Sequence, residues 1–145
     1  LLIEYLHLIQ DKYRCIKKSH LAALSDIMKI PFAEAFEVAS FYAHFDVLDD
    51  NDPTPPEITI RMCDSLTCEL KGSDSLLKDL QKKYHNSDKV RVLRAPCMGL
   101  CDVAPACEVG HNHIKNCSME SIESAVKKKD IHPQIQQLSL MVQEA

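Results

Sequence analysis

The chain has 145 residues, 46% hydrophobic and 26% charged, an ordinary globular composition. Seventeen Lys and Arg against 21 Asp and Glu leave a formal charge of −4, so the basic surplus that accompanies nucleic-acid binding is absent and no nucleic-acid partner is expected. No apolar run reaches the ~18 residues of a membrane span, and the three glycines, Gly72, Gly99 and Gly110, are too far apart for a G-x-G-x-x-G or Walker A loop.

The chain opens on Leu1-Leu2-Ile3 in mid-pattern, as expected of a segment of a longer polypeptide. Residues 1–48 read as helical throughout. Leu2, Leu6, Ile9 and Tyr13 recur at helical spacing, and Leu1, Tyr5 and Leu8 widen that face. After a break near Arg14-Cys15, Ser19 is the expected N-cap of a second helix carrying Leu21, Leu24, Ile27 and Met28. Pro31 suits the first turn of a third, lined by Phe32, Ala35, Phe36, Ala39 and Tyr42. Acidic residues and three prolines fill 49–56, which reads as a linker.

Beyond the linker the period changes. Residues 57–62 alternate as a strand, Ser73 to Tyr84 as a helix with Leu76, Leu77 and Leu80 on one face, and 89–94 as a second strand. A hairpin turning at Gly110-His111-Asn112 follows, then a helix capped by Ser118 and closed by Lys127, Lys128 and Lys129. The order βαβ then ββα is the thioredoxin-like arrangement, with a right-handed crossover between parallel strands. The expected fold class is therefore α+β: an N-terminal three-helix bundle (1–48), a linker (49–56), a thioredoxin-like α/β domain (57–130) and a tail or linker (131–145).

Seven cysteines cannot all pair within the chain. No signal peptide is recognisable at its start, so clustered cysteines read first as metal ligands or redox groups, and a cytoplasmic setting is expected. Cys63 and Cys68 form C-x4-C after the first strand; Cys97 and Cys101 form C-x3-C after the second. Parallel strands bring both pairs to one end of the sheet, where four thiolates suit an iron–sulfur cluster. The spacings are wider than the C-x2-C knuckles of structural zinc and favour a 2Fe-2S cluster; a zinc-stabilised interaction module and a dithiol enzyme are the rivals. Ser65 and Thr67 are placed to donate hydrogen bonds to sulfur, and Arg61 and Arg94 to add positive charge nearby.

The other candidates have plainer readings. Pairing Val109 with Ile114 on the buried face sets Cys107 opposite Asn116 and turns Cys117 away, so two buried free thiols are expected rather than a disulfide. Cys15 reads as a surface or semi-buried thiol, His44 as packing, and Phe41, Tyr42 and Phe45 as core or interface. His111 and His113 lack an evident third ligand.

These residues resemble a known family. Leu8-Ile9-Gln10-Asp11, Glu37-Val38-Ala39-Ser40-Phe41-Tyr42, Cys63 with Cys68, Ala95-Pro96-Cys97-Met98-Gly99-Leu100-Cys101 and Ala104-Pro105 are similar to the thioredoxin-like 2Fe-2S subunit of respiratory complex I and of NAD-linked hydrogenases and formate dehydrogenases. Phe41-Tyr42-Ala43-His44-Phe45-Asp46, residues 61–68 and 108–112 resemble the N-terminal region of the fused diaphorase (beta) subunit of NAD-dependent formate dehydrogenase. Arg14 departs from the family, which often has a small residue such as glycine at that turn. The resemblance implies Cys63, Cys68, Cys97 and Cys101 as ligands of a 2Fe-2S cluster. It further implies a partner domain or subunit holding FMN, NAD and further iron–sulfur clusters, a larger oxidoreductase complex around it, and no turnover by this chain alone.

Overall fold

A computed structural model of the chain describes residues 1–132; the tail expected beyond them lies outside the described residues. Two compact units are present, Leu1–Glu57 and a second beginning at Ile58.

The first unit holds the helices α1 (Leu2–Tyr13), α2 (Lys18–Met28) and α3 (Phe32–Phe41). They bury Leu6, Leu21, Leu24, Ala35 and Ala39 with Ile16 and Phe45. The buried stripe of α1 is narrower than its sequence pattern: Leu6 is buried, but Leu1, Tyr5, Leu8 and Tyr13 are exposed. Phe45 is core, whereas Phe41 and Tyr42 are exposed, and His44 packs its ring against His7 and Phe45.

The unit is not helical throughout. Two-residue strands β1 (Ile16–Lys17) and β2 (Val47–Leu48) pair in parallel. Their pairing buries Ile16 and, beside it, Cys15, which at 1% exposed is fully buried, where its place between helices implied a surface or semi-buried thiol. The second helix begins at Lys18, where the Lys17 N–H donates to His20 Nδ1 at 3.2 Å. Ser19 lies inside that helix instead of capping it, because its N–H and hydroxyl both donate to Asp50 Oδ1, at 3.1 and 2.5 Å. The acidic stretch is thus folded against the start of α2, and the Lys18 ammonium adds an ion pair with Asp49 at 2.5 Å.

Arg14 ends α1 in the left-handed region, at φ 61°. The buried Gln10 amide holds this corner. Its Nε2 donates to the Arg14 carbonyl at 3.2 Å and to Asp46 Oδ2 at 3.1 Å, and its Oε1 accepts from the Asp46 N–H at 3.0 Å.

In the second unit, β3 (Ile58–Cys63) pairs in parallel with β4 (Val90–Ala95) and antiparallel with β5 (Cys107–Val109), which pairs with β6 (Asn112–Ile114). The sheet order is β4-β3-β5-β6. Between β3 and β4 run α4 (Leu66–Leu70) and α5 (Ser73–Tyr84); α6 (Met119–Lys128) closes the unit. One sheet face carries the core: Ile58, Ile60 and Met62 of β3 meet Leu77 and Leu80 of α5 and Ile122 and Ala125 of α6. Every residue of β3 is buried, including Thr59 and Arg61 on the opposite face. Ser118 caps α6 as expected, exchanging hydrogen bonds with Ser121.

The hairpin register differs from expectation. Val109 pairs with Asn112 and Cys107 with Ile114, because the turn is a tight two-residue loop of Gly110 and His111. Asn112 is therefore turned inward, 2% exposed, and its amide is satisfied by the Asp130 carbonyl at 3.0 Å. The segment after α6 lies on this turn, with His111 N–H donating to the Ile131 carbonyl at 2.7 Å.

Two substitutions test these corners. Arg14→Gly should stabilise the chain by up to about 1 kcal/mol in urea denaturation, since an L side chain in the left-handed region costs ~1–2 kcal/mol while glycine there costs only unfolded-state entropy. Gly110→Ala should destabilise it by roughly 1–3 kcal/mol, the cost of a left-handed non-glycine residue. Gly110 has φ +64°, and the added Cβ would stand 2.6 Å from Ile131 Cβ and 2.9 Å from its carbonyl oxygen.

Candidate metal centre

The parallel register fixes where the four cysteines go. Cys63, the last residue of β3, lies opposite Ala95, the last residue of β4. Two loops therefore leave the same end of the sheet. The first turns into α4, which carries Cys68; the second passes Cys97 and reaches Cys101 at the head of a 3-10 turn, Cys101–Val103. Cys63 and Cys68 are each 2% exposed and pack on Ala106, with Leu100 and Ala104 beside them. Cys97 and Cys101 are exposed.

The four thiols meet. Cys97 Sγ is 3.4 Å from Cys101 Sγ. Cys63 hydrogen-bonds with both Cys68 and Cys97 and lies near enough to Cys101 to act on it electrostatically. Hydrogen bonds to sulfur arrive from backbone and hydroxyl donors, and they sort the thiols electrostatically. The Gly99 N–H, 3.4 Å from Cys97 Sγ, holds that thiol below the usual range, helped by the Cys101 thiol and the Ser65 hydroxyl. Cys101 is raised because its thiol is shared with Cys97 and sits in that sulfur's field, with Thr67 pulling the other way. Burial pushes Cys68 up, against a hydrogen bond from the Ala106 N–H.

Ser65 and Thr67 thus reach across from the first loop to the cysteines of the second. The Ala106 donor has no signature in sequence, because a backbone N–H is the same for any residue. Arg94 bridges the two loops' supports, with Nη2 3.2 Å from Asp74 Oδ1 and Nη1 4.0 Å from Asp64 Oδ2. Arg61 lies on the β3 face that carries Cys63 and faces Glu108 across the strands, Nη1 to Oε2 3.7 Å. Glu108 could be found only with the register of β5 against β3 in hand.

Within the second unit, Cys107 and Cys117 belong to a different cluster from the Cys63 and Cys68 pair. Cys107 and Cys117 are both buried in the core of the second unit and touch each other, contrary to the expected opposite faces. After β6 the backbone turns back, with Asn116 and Cys117 N–H groups donating to the Val103 and Pro105 carbonyls at 2.8 Å. That return brings Cys117 beneath Cys107. The shared thiol hydrogen bond, then burial, drives Cys107 far upward, while accepting that bond lowers Cys117. Both are free thiols. His113, across the hairpin from Glu108, has Nε2 3.8 Å from its Oε1.

A parallel βαβ unit, an antiparallel hairpin, helices packed on one face and four thiols at the end of the parallel pair define a thioredoxin-like protein with a thiol-rich centre. Four thiolates would accept zinc as well as iron, so the fold's kinship decides the cofactor. Residues 1–130 match the family described as thioredoxin-like [2Fe-2S] ferredoxin. The chain belongs to that family, and its cofactor is a 2Fe-2S cluster. It is 30% identical over 117 residues to a subunit of the NADH-quinone oxidoreductase of Aquifex aeolicus, covering 76% of this chain and 70% of that one. The corresponding subunit of Rickettsia bellii is 25% identical over 112 residues, covering 72% and 64%. Among solved structures, NAD+-reducing [NiFe]-hydrogenase in its H2-reduced state shares the fold, with a TM-score of 0.68 and 22% identity, over 94% of this chain and 23% of that chain. Among the described residues no helix is long and apolar enough to cross a membrane.

In the cluster-free chain, Cys97 should be alkylated by iodoacetamide first and Cys107 last. A lowered thiol is ionised at lower pH, so the Cys97 rate should reach half its maximum below pH ~8.5, the ordinary cysteine value. Peptide mapping across a pH series checks both the order and the sign.

Proposed function

We propose that the chain is a one-electron carrier of an NAD-linked oxidoreductase, with Cys63, Cys68, Cys97 and Cys101 as the ligands of its 2Fe-2S cluster. One observation carries the reading: four thiols from two loops converge at the C-terminal ends of paired parallel strands, while Cys107 and Cys117 of the same unit are buried in its separate core cluster. A 2Fe-2S cluster supplies one-electron transfer. The chain's part is to hold it, to keep Cys63 and Cys68 from water, and to aim the Gly99 and Ala106 N–H groups and the Ser65 and Thr67 hydroxyls at sulfur. The exposed side of Cys97 and Cys101 gives an electron partner close approach. We take that partner to be FMN, bound with NAD in an adjoining domain or subunit of a larger complex; the chain has too few glycines for a phosphate loop of its own.

Within this class we favour the NAD-dependent formate dehydrogenase type. The stretches Phe41–Asp46, 61–68 and 108–112 support it. The names of the relatives favour a second reading, the equivalent module of NADH-quinone oxidoreductase or of an NAD-reducing hydrogenase. Co-purification with a molybdenum- or tungsten-containing catalytic subunit would support the first.

Anaerobic purification with iron and sulfide analysis tests the ligand set. Two irons and two sulfides per chain are expected, with an EPR signal on reduction. Cys97→Ser should lose most of the iron, while Cys107→Ser should keep it. Stoichiometric zinc without visible absorption would overturn the reading, as would NADH dehydrogenase turnover by this chain alone.

A further inference from the structure

We propose that Arg61 and Glu108 set the reduction potential of this site in opposite directions, Arg61 raising it and Glu108 lowering it. The inference rests on Cys63 being a ligand, as read above. Alternation along β3 puts Thr59, Arg61 and Cys63 on the face opposite Ile58, Ile60 and Met62. Two strand residues span only ~6.6 Å, so Arg61 lies one side-chain row from Cys63. Glu108 stands opposite Arg61 in the register, one row from Ala106, whose N–H donates to Cys68. Arg61 is therefore one row from the Cys63 thiol, and Glu108 one row from the residue whose N–H donates to Cys68.

Burial makes these charges count. The side chains of Arg61 and Glu108 are 8% and 12% exposed, against 53% for Arg94. Water and salt screen Arg94, which is also engaged by two carboxylates at the surface. Inside the sheet the effective dielectric is several-fold lower than in water, and Coulomb terms grow in proportion. The guanidinium cannot lose its proton, so its charge is fixed. Uptake of one electron from a donor such as dithionite or a reduced flavin forms and breaks no bond; it adds one negative charge at the four-thiolate site. A fixed cation nearby favours that state and a carboxylate opposes it. Because the two stand 3.7 Å apart, each masks the other, and the native potential reflects their balance.

The test is an EPR-monitored dithionite titration of the full chain at one pH, with iron content and circular dichroism measured alongside. Arg61→Gln should lower the midpoint, Glu108→Gln should raise it, and the double variant should lie between them. The g-values should stay unchanged throughout. Midpoints unmoved by either single change, or moved in the same direction by both, would overturn the proposal. Removing one partner of a buried pair is strongly destabilising. Should Arg61→Gln not fold, Glu108→Gln and the double variant decide: the first must lie above the native midpoint and above the double. Failure of the ligand assignment has a separate mark, full iron retained in Cys63→Ser.

Discussion

The parallel pairing of β3 with β4 is the constraint on which the site depends. Antiparallel strands would send their cysteine loops to opposite ends of the sheet. Parallel pairing, with Cys63 opposite Ala95, sends both to one end and needs a helical crossover to do it. That crossover serves twice. Its second helix, α5, places Leu77 and Leu80 on the sheet's apolar face, and its first, α4, carries Cys68 into contact with Ala106. The βαβ geometry that buries the core also gathers the thiols.

The two faces of β3 divide the work. Ile58, Ile60 and Met62 supply apolar area to the core. Thr59 and Arg61 on the other face are nearly as buried but polar, and they are matched residue by residue: Thr59 Oγ1 accepts from Arg91 Nε at 2.8 Å, and Arg61 faces Glu108. Burying a charge is tolerable only when it is paired. A strand needed only for stability would do as well with apolar residues there. The ionic row beside the thiols therefore makes most sense as part of the site's electrostatics.

The first unit shows how a few polar groups hold a small bundle. The Gln10 amide spans the end of α1 and the segment before β2 with three hydrogen bonds, and Asp50 takes the N–H and hydroxyl of Ser19. Asp46 comes from a stretch that reads as helix and Asp50 from one that reads as linker. Their partners lie about 30 residues or more away in the chain, so no local pattern announces them.

Local chemistry determined much of this protein in advance. The three helices of the first unit, the span of α5 and the alternation of β3 follow from side-chain period, and the Ser118 cap from the preference of the helix start. The two cysteine pairs and their meeting at one sheet end follow from spacing and the βαβ rule. Tertiary structure alone decided the rest. A two-residue turn set the hairpin register and turned Asn112 inward. The pairing of β5 with β3 placed Glu108 opposite Arg61, and the return of the chain after β6 brought Cys117 against Cys107. Parallel pairing of β1 with β2 buried Cys15. The division has one physical reason: periodicity and capping act within a turn or two of the chain, whereas register and burial depend on which distant segment arrives opposite.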